Sequence, residues 1–530
     1  MKKYVAVVLV AALCVLPFSF SGGIVDAKGQ PTIAGQLEIL LDKHEVSKEG
    51  RFFAHEGRGT LILEATGKKV KHNIDIFING RRVDISPHTK GKPKSHIEID
   101  VGAYLLDGLN DIIVKRTNNG AKVPKVIVPY PELIDGTPEQ VGMNSSKLAA
   151  IDRIVEEAIE EGITPGAVVL VAKDNKVVKE KAYGLAYKYD MGQLLDNPRA
   201  MTTSTIFDLA SVTKVMGTTQ GIMKLVAEGK IRIEDSVAKY MPDFAANGKE
   251  HITIADLLTH TSGLTPWKPT YFYAENEREV RRYINELPLE YPSGTKRAYS
   301  DFSFMVLGFI IEEVSGEPLD AYLEKNIYAP LKMQDTMFNP SDRLKQRIAA
   351  TSWGNPYEYK MVDDPNFGYY VEEDADDFCC WRDYTLIGEV NDGNSYYANE
   401  GVAGHAGLFS TARDLAVLGQ AMLNGGGYGT NKLYDSETVA TFTAEQRFGH
   451  GFGWERNGSY MGSQHSGEAF GHTGFTGTQV IFDPVHRLQI VVLTNKQNNG
   501  PRESGSYYST FALTRNIADT VYESFAQTNK

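Results

Sequence analysis

Residues 207–216 read Phe-Asp-Leu-Ala-Ser-Val-Thr-Lys-Val-Met, and this stretch decides how the chain is interpreted. Ser211 and Lys214 are three residues apart, so at the start of a helix they lie on one face, one turn from each other. A lysine beside a serine hydroxyl can take its proton and make the serine a nucleophile. Since a single Ser-x-x-Lys match also fits a capped helix with an exposed lysine, other parts of the chain have to support this prediction.

The composition sets limits on the class of protein. The chain has 530 residues, of which 42% are hydrophobic and 23% charged, which is typical of a globular protein with two domains. The net charge of −12 argues against nucleic acid as a partner, and so does the lack of a basic stretch that could bind in a nucleic-acid groove. No Cys/His or H-E-x-x-H spacing predicts zinc, and no phosphate-binding loop is present, so we expect neither a metal nor a cofactor.

The N-terminus has the pattern of an export signal. Lys2 and Lys3 precede an apolar run over residues 4–20, and small residues follow at 25–27. We therefore predict a signal peptide over residues 1–27 and an exported protein, either periplasmic or extracellular at the cell envelope. Because the apolar run is just long enough to span a membrane, anchoring by an uncleaved segment stays open. Outside this segment only the adjacent Cys379 and Cys380 remain, so no disulfide framework is predicted.

Two domains follow the predicted signal peptide. Residues 28–130 contain short β-rich runs and an Asn79-Gly80 hairpin signal, which predict an all-β sandwich accessory domain. The proline-rich stretch 123–131 is typical of a linker. Residues 131–530 have strands near both ends and a helical block between them. We predict an α+β catalytic domain with one antiparallel sheet flanked by helices, plus a helical subdomain.

Charge is distributed unevenly between the predicted domains. Residues 28–130 contain 17 Lys and Arg against 12 Asp and Glu, a balance of +5, whereas residues 131–530 have a balance of −18. Such runs usually form a solvated face, and the alternative is contact with an anionic envelope polymer. The acidic stretch 371–377 is interpreted as a solvated loop, because its spacing does not fit a calcium loop.

Three further segments complete a recognisable pattern. Tyr299-Ser300-Asp301 precedes an apolar helix, Gly401 to Ser410 is rich in small residues, and His472-Thr473-Gly474 precedes a strand. In this order, after Ser211 and Lys214, they resemble the serine β-lactamase-like superfamily. The resemblance is to the branch of class C β-lactamases, D-alanyl-D-alanine carboxypeptidases and esterases, and most of all to penicillin-binding proteins of type four-B. It covers most of residues 137–527, including Leu257 to Leu264, and leaves the sandwich outside.

The resemblance implies a β-lactamase/D,D-peptidase-like domain and a role for each matching residue. Ser211 is implied to be the acylated nucleophile, with Lys214 as its proton partner and Tyr299 as the proton donor to the leaving group. The remaining implied positions bind the substrate or its oxyanion: the side chains of His472 and Thr473 hold a carboxylate, Gly474 belongs to the same motif, and the backbone N–H groups of Ser211 and Phe475 form the oxyanion hole. His405 either lines this site or has a structural role.

Two positions depart from the β-lactamase pattern. Asp301 stands where the family has asparagine, and a carboxylate cannot donate a hydrogen bond to a substrate carbonyl. Asp301 can instead pair with Lys214 and raise the pKa of its ammonium group. His472 stands where the family has lysine, and an imidazole is only partly charged near neutral pH. Both changes argue against an efficient β-lactamase.

The sequence thus predicts an exported serine acyl-hydrolase of peptidoglycan metabolism. The favoured activity is that of a D-alanyl-D-alanine carboxypeptidase that also acts on esters and is acylated by β-lactams. One alternative is an N-acetylmuramoyl-L-alanine amidase of muropeptide recycling, which shares the Tyr-Ser-Asp motif and the Gly401 to Phe409 segment. The other is a penicillin-binding receptor without turnover. The expected partners are peptidoglycan peptides or muropeptides.

Overall fold

The computed structural model of the protein describes residues 24–25, 31–32, 37–71, 73–89, 94–118 and 121–525. The predicted leader over residues 1–27 lies outside these ranges except for Ile24–Val25, which pairs with Pro31–Thr32. Within the described residues, no helix has both the length and the apolar character that crossing a bilayer requires.

Two four-stranded antiparallel sheets enclose one apolar core and confirm the predicted β-sandwich. Asn79 and Gly80 form the predicted turn, with φ of +51° and +75°, the left-handed conformation that a tight hairpin requires. The strands are β1 (Leu37–Ile39), β2 (Ser47–Ala54), β3 (Thr60–Glu64), β4 (Ile74–Ile78), β5 (Arg81–Val83), β6 (His96–Asp100), β7 (Gly108–Arg116) and β8 (Lys125–Val128). The sheet orders are β1-β8-β3-β6 and β2-β7-β4-β5.

The prediction that residues 123–131 form a linker is wrong for the middle of this stretch. Strand β8 lies between β1 and β3, and its Val126, Ile127 and Val128 are buried. Pro124 and Pro129 stand just outside the two ends of β8, where a missing N–H does not interrupt the ladder. The β-branched residues between them fit a central strand, so the sandwich continues to residue 128.

The rest of the chain confirms the predicted α+β class. Its strands are β9 (Ile134–Asp135), β10 (Gly166–Lys173), β11 (Lys176–Asp190), β12 (Gln193–Ala200), β13 (Phe207–Asp208), β14 (Met337–Phe338), β15 (Leu408–Ser410), β16 (Gly427–Tyr428), β17 (Asn431–Lys432), β18 (Glu455–Arg456), β19 (Phe470–Thr473), β20 (Thr478–Asp483) and β21 (Leu488–Thr494). The main sheet has the order β9-β11-β10-β21-β20-β19-β18, with β12 paired to β11. One edge departs from the antiparallel prediction: β9 runs parallel to β11, because it enters from the sandwich and not through a hairpin.

Helices cover both faces of this sheet. Strand β10 alternates between two cores: Val168 and Leu170 join one, and Val169 and Val171 join the other. The α-helices of five or more residues in the described part are α1 (Ala150–Glu160), α2 (Thr219–Ala227), α3 (Ile254–Leu258), α4 (Glu277–Glu286), α5 (Asp301–Ser315), α6 (Leu319–Leu323), α7 (Pro356–Asp363), α8 (Gly393–Ala398), α9 (Ala412–Leu423), α10 (Ser436–Thr443) and α11 (Phe511–Glu523). Helices α1 and α11 pack on one face, and α9 and the helical block pack on the other.

The segment that contains the Ser-x-x-Lys motif is less regular than predicted. The sequence places Ser211 and Lys214 in the first turn of a helix, but the chain forms a 3₁₀ turn over Ala210–Val212 and a π-helical turn over Lys214–Thr218 before α2 begins. Wide π turns are frequently found at functional sites.

The sandwich and the larger domain are in direct contact. The guanidinium carbon of Arg487 lies 3.4 Å from the centre of the Phe53 ring, and Lys176 Nζ lies 2.8 Å from Asp107 Oδ1. The N–H of Tyr130 also donates to the carbonyl of Gly429 at 2.8 Å. The first two contacts join residues of the sandwich to the main sheet, while the third lies on the connection that follows β8.

Candidate active site

Ser211 lies on a strained turn at the end of β13. The preceding Ala210 has a φ of +45°, a left-handed conformation that is uncommon for a residue with a side chain. The turn is held in place because the Ala210 N–H donates to Asp208 Oδ1 at 2.8 Å. Ser211 itself is partly exposed, whereas Ala210 and Val212 on either side are buried. The strain therefore presents one hydroxyl at the surface of a rigid segment.

Neighbouring strands hold this segment from two sides. The Leu209 N–H donates to the Leu408 carbonyl on β15 at 3.0 Å. From the other side, the Thr478 hydroxyl donates to the Leu209 carbonyl at 2.9 Å. A β-carbon on Gly474 would lie 2.3 Å from that same carbonyl oxygen, so this position of the His-Thr-Gly motif requires glycine.

Lys214 is fully buried, and its ammonium group is in contact with Ser211. Its Nζ donates to Ser211 Oγ at 3.1 Å and to the main-chain carbonyl of His405 at 3.0 Å, and it lies 2.7 Å from Asp301 Oδ1. Burial disfavours the ammonium group, but the charge of Asp301 and the hydrogen bonds to Asp301 and Tyr299 outweigh it and raise the pKa of Lys214. Lys214 is therefore a cation at neutral pH, as the pairing expected from Asp301 implies.

Tyr299 lies at the entrance of α5 and is packed against His260. The two ring centres are 4.5 Å apart, and His260 Nδ1 accepts a hydrogen bond from the Ser300 N–H at 3.0 Å. Burial raises the pKa of the Tyr299 hydroxyl, and its hydrogen bonds to Lys214 and Ser211 counteract that rise only in part. The phenol is thus neutral and in contact with both members of the Ser-x-x-Lys motif.

His472 differs from the expectation of a partly charged imidazole. The residue is buried on β19, and its Nδ1 lies 2.7 Å from the carbonyl of Thr473, where it donates. Burial, together with the nearby Lys214 cation, lowers the pKa of His472 to about 3. The imidazole is therefore neutral at physiological pH and cannot attract a substrate carboxylate by its charge. The role predicted for Thr473 remains a prediction.

Phe475 follows at the rim of the site. Its side chain is 39% exposed, and its ring lies against Tyr357, with the centres 4.7 Å apart. Among the described residues, no acceptor pairs with the Phe475 N–H. This N–H is therefore available for an oxyanion, which is the role predicted for it together with the Ser211 N–H.

His405 does not present its side chain to the solvent side of the site. The residue is 1% exposed, its Nε2 lies 2.9 Å from Asp392 Oδ1, and its carbonyl accepts from Lys214. Of the two roles left open for His405, this favours the structural one, because its imidazole is buried against Asp392 and its carbonyl holds the Lys214 ammonium group. Asp392 also caps α8 by accepting from the Ser395 N–H at 2.8 Å.

Asp301, Asp392 and His405 place their ligand atoms within 4.8 Å of one another, which is compatible with a cation between them. The ammonium group of Lys214 already lies 2.7 Å from Asp301 and supplies positive charge at this point. We therefore assign the cluster to the electrostatic support of Lys214 and not to a metal.

Three charged residues near the site belong to no motif. Asp208 is buried and accepts from the Asn391 N–H at 2.6 Å, and burial raises its pKa to about 6. Glu358 accepts from the Gly393 N–H at 2.7 Å, and burial raises its pKa to about 8. Lys496 lies beside Phe475. Glu358 and Lys496 reach the site from distant parts of the chain, so no local sequence signal identifies them, whereas Asp208 stands three residues before Ser211 and was not singled out.

Comparison with known proteins gives a consistent result. Residues 151–513 match the protein family described as "Beta-lactamase". A protein of Escherichia coli (strain K12) with the name "Putative D-alanyl-D-alanine carboxypeptidase" is 39% identical over 393 residues, which cover 70% of this chain and 87% of the relative. The "N-acetylmuramyl-L-alanine amidase" of Bacillus subtilis (strain 168) is also 39% identical, over 391 residues that cover 69% of this chain and 85% of the relative.

A solved structure supports the fold. A penicillin-binding protein homologue from Caulobacter crescentus aligns with a TM-score of 0.53 and 22% identity, over 72% of this chain and 99% of its own. At this identity the likeness concerns the fold alone. It agrees with the β-lactamase/D,D-peptidase-like architecture that the sequence predicts.

Proposed function

Since this chain belongs to the beta-lactamase family and is a serine hydrolase, we propose that it cleaves peptidoglycan-derived peptides through a Ser211 acyl-enzyme, mainly as a D-alanyl-D-alanine carboxypeptidase. The contact of 3.1 Å between Lys214 Nζ and Ser211 Oγ carries this proposal, and Lys214 Nζ also lies 4.9 Å from the centre of the Tyr299 ring. The name of the E. coli relative supports the substrate class. Esters are a second class of acyl donor, and β-lactams are acylating ligands.

Acylation requires a neutral amine next to the serine. Lys214 transfers one proton to Asp301 across 2.7 Å, and the resulting amine takes the Ser211 proton as Oγ attacks the substrate carbonyl. The negative charge on the carbonyl oxygen is stabilised by the N–H groups of Ser211 and Phe475. When the intermediate collapses, the Tyr299 hydroxyl donates its proton to the leaving amine and recovers one from Lys214.

Deacylation uses the same groups in the opposite direction. A water molecule occupies the position of the departed amine and gives a proton to the Tyr299–Lys214 pair as its oxygen adds to the ester carbonyl. The ester bond to Ser211 then breaks, Oγ takes this proton from the Tyr299–Lys214 pair, and the free acid leaves. Asp301 finally returns its proton to the Lys214 amine, which restores the starting ion pair.

Asp301 is expected to bias the site against β-lactams. Asp301→Asn removes the carboxylate that raises the pKa of Lys214 and supplies an amide donor for a substrate carbonyl. We expect the rate of cephalosporin hydrolysis relative to that of a p-nitrophenyl ester to rise by about tenfold, the effect of one hydrogen bond to substrate. Both rates are measured spectrophotometrically on the parent and the variant. An unchanged ratio would show that Asp301 has no part in this selectivity.

An N-acetylmuramoyl-L-alanine amidase reaction is the second candidate. The Bacillus subtilis relative of that name is as similar to this chain as the E. coli relative is. The neutral His472 favours it as well, because an amidase does not have to hold a terminal carboxylate at that position. The acyl-enzyme chemistry is the same for both reactions.

Product analysis separates these candidates. The purified full-length protein is incubated with a muropeptide mixture, and products and covalent adducts are read by mass spectrometry. Release of D-alanine supports the carboxypeptidase, whereas separation of the sugar from the peptide identifies the amidase. A stable penicillin adduct without any product would identify a receptor without turnover. The same incubation with Ser211→Ala provides the control.

The proposal includes export and attachment to the cell wall. The basic and apolar pattern over residues 1–27 supports export, with membrane anchoring only through that segment. Lys68, Lys69, Lys71 and Lys122 are exposed and line one groove of the sandwich. Such exposed charges attract an anionic polymer at low ionic strength and are screened within roughly 8 Å at physiological salt.

We therefore expect the full-length protein to pellet with purified cell wall at low salt and to be released as salt rises. A triple variant, K68E/K69E/K71E, should stay in the supernatant under all conditions, because it reverses the charge of the groove. Ester hydrolysis in the supernatant reports that the variant is folded. If the parent itself fails to pellet at low salt, the sandwich does not tether the enzyme, and a spacer role becomes the better explanation.

A further inference from the structure

Lys496 lies immediately after the last strand of the main sheet, beside the turn that contains Phe475. Both the N–H and the hydroxyl of Thr494, at the end of β21, donate to the carbonyl of Gly477, at 3.2 and 2.9 Å. A β-carbon on Gly477 would lie 3.2 Å from Lys496 Cγ, so the lysine stem runs along this turn. The same turn reaches the nucleophile segment through Thr478 and Leu209. Lys496 therefore borders the site that contains Ser211.

The ammonium group of Lys496 has no anionic partner in the described part of the chain. Its Nζ lies 5.6 Å from the centre of the Phe475 ring, and no carboxylate in the described parts of the chain acts on it. Burial alone lowers the pKa of Lys496 to about 8. Withdrawing a cation from water without a counter-charge is costly, and unpaired groups of this kind are candidates for ligand binding.

Three other buried lysines have a hydrogen-bond or ion-pair partner for their ammonium group. Lys214 is paired with Asp301, and Lys176 with Asp107, at 2.7 and 2.8 Å. Lys249 donates to the carbonyls of residues 285 and 287. Lys496 has no comparable partner among the residues that the structure describes.

We propose that Lys496 Nζ binds a carboxylate of the substrate, at a subsite whose floor is the Phe475 ring. The ring is fixed by Tyr357 and Tyr507, at centre distances of 4.7 and 5.9 Å, and it is 39% exposed. The subsite therefore takes a carboxylate attached to a short apolar group, as in an amino-acid residue. This inference rests on the proposed function and assigns the anionic contact to Lys496, because His472 is neutral.

The test uses three esters, and the rate of each without enzyme is subtracted, because the carboxylate of the succinate ester hydrolyses its own ester bond. Phenyl acetate is uncharged, 3-carboxyphenyl acetate has its carboxylate on the leaving group, and phenyl hydrogen succinate has it on the acyl group. For Lys496→Met we expect kcat/KM of one charged ester, relative to phenyl acetate, to fall by about 30-fold, as for the loss of a hydrogen bond to a charged group. The loss should appear mainly in KM, and Lys496→Arg should restore most of it. Which of the two esters responds identifies the side of the scissile bond.

Lys360→Met is the matched control. Lys360 Nζ lies 4.9 Å from the ring of Phe367, in the same aromatic group, but it donates to the Ser504 carbonyl at 2.8 Å. We expect this variant to leave the ratios of the three esters unchanged. If neither charged ester responds to Lys496→Met, or if all three esters fall alike, Lys496 does not bind a substrate carboxylate.

The pH dependence gives a second readout. Lys496 is a cation below its pKa of about 8, so the preference of the parent for the charged ester should be full below pH 7 and disappear as the pH rises past 9. Phe475 faces the ammonium group, and burial raises the pKa of the adjoining Tyr357 and Tyr507, which stay neutral in this range. The reacting groups are the same for the charged and the uncharged ester, so their titration changes both rates alike and leaves the ratio of the two rates unchanged. A pH-independent ratio in the parent would contradict the inference.

A binding experiment separates this inference from the proposed function. Saturation-transfer NMR with N-acetyl-D-alanine and the full-length protein measures carboxylate binding without turnover. The signal should fall in Lys496→Met and persist in Ser211→Ala. Unaltered binding in Lys496→Met overturns the inference even if hydrolysis is observed. Absence of hydrolysis with Lys496-dependent binding overturns only the proposed function.

Discussion

We expect Ser211→Ala to lower ester and peptide hydrolysis by about 10⁶-fold, as the loss of a covalent nucleophile does in other serine hydrolases. Ser211 Oγ is the hydroxyl on which Lys214 Nζ acts at 3.1 Å, and it is presented by the strained Ala210 turn. Alanine at this position leaves the strained turn without the hydroxyl that it presents to Lys214. Covalent labelling by a fluorescent penicillin or a fluorophosphonate should disappear together with turnover.

Ser293→Ala is the control for this loss. Ser293 precedes Tyr299 in the same loop, and its hydroxyl donates to the Thr261 carbonyl at 3.4 Å, so the variant removes one serine hydroxyl without touching the Lys214 contacts. Its labelling and hydrolysis should match the parent. Labelling that survives in Ser211→Ala would place the nucleophile elsewhere and would exclude the acyl-enzyme described above.

Patterns of apolar residues explain which parts of the fold could be predicted. Residues 166–172 form an uninterrupted apolar run, and a strand buried on both faces is the arrangement that such a run favours. The Asn79-Gly80 turn was predictable because few residue pairs adopt its backbone conformation. Strand β8 was not, since Pro124, Pro129 and Pro131 are typical of a linker and only the neighbouring strands reveal the ladder. Local pattern therefore predicts elements more reliably than it predicts their boundaries.

Some residues of the candidate site could likewise be predicted from the sequence, and others could not. Ser211, Lys214, Tyr299 and Asp301 were recognisable because their spacing resembles a known family, and the structure brings them into contact. The charge of His472 was not predictable, because the depth of burial and the distance to Lys214 decide it. Lys496 was not predictable either, since the absence of a partner is a property of the three-dimensional surroundings.

The Lys214–Asp301 pair connects the stability of the protein to its chemistry. Lys214 is fully buried, and the side chain of Asp301 is 18% exposed, so neither charge is well solvated without the other. A buried pair contributes little net free energy compared with apolar residues, but removing one partner leaves an uncompensated charge. The two residues should therefore respond differently to single and double substitution.

We expect Lys214→Met to lower hydrolysis by about 10³- to 10⁴-fold, the size of effect that loss of a positioned proton acceptor produces. The same variant leaves the Asp301 carboxylate without its cation, so the free energy of unfolding should fall by about 3 kcal/mol. The first effect is measured with a p-nitrophenyl ester and the second by denaturant unfolding. Hydrolysis within tenfold of the parent would mean that another group accepts the Ser211 proton.

The double variant Lys214→Met/Asp301→Asn separates the two effects. Asparagine keeps the shape of the aspartate but removes its charge, so most of the lost free energy of unfolding should be recovered. Hydrolysis should stay at the level of Lys214→Met, because no amine is restored next to Ser211 Oγ. Equal stabilities of the single and double variants would show that Lys214 does not compensate Asp301. Recovery of hydrolysis in the double variant would instead show that the unpaired carboxylate, and not the missing amine, inactivates Lys214→Met.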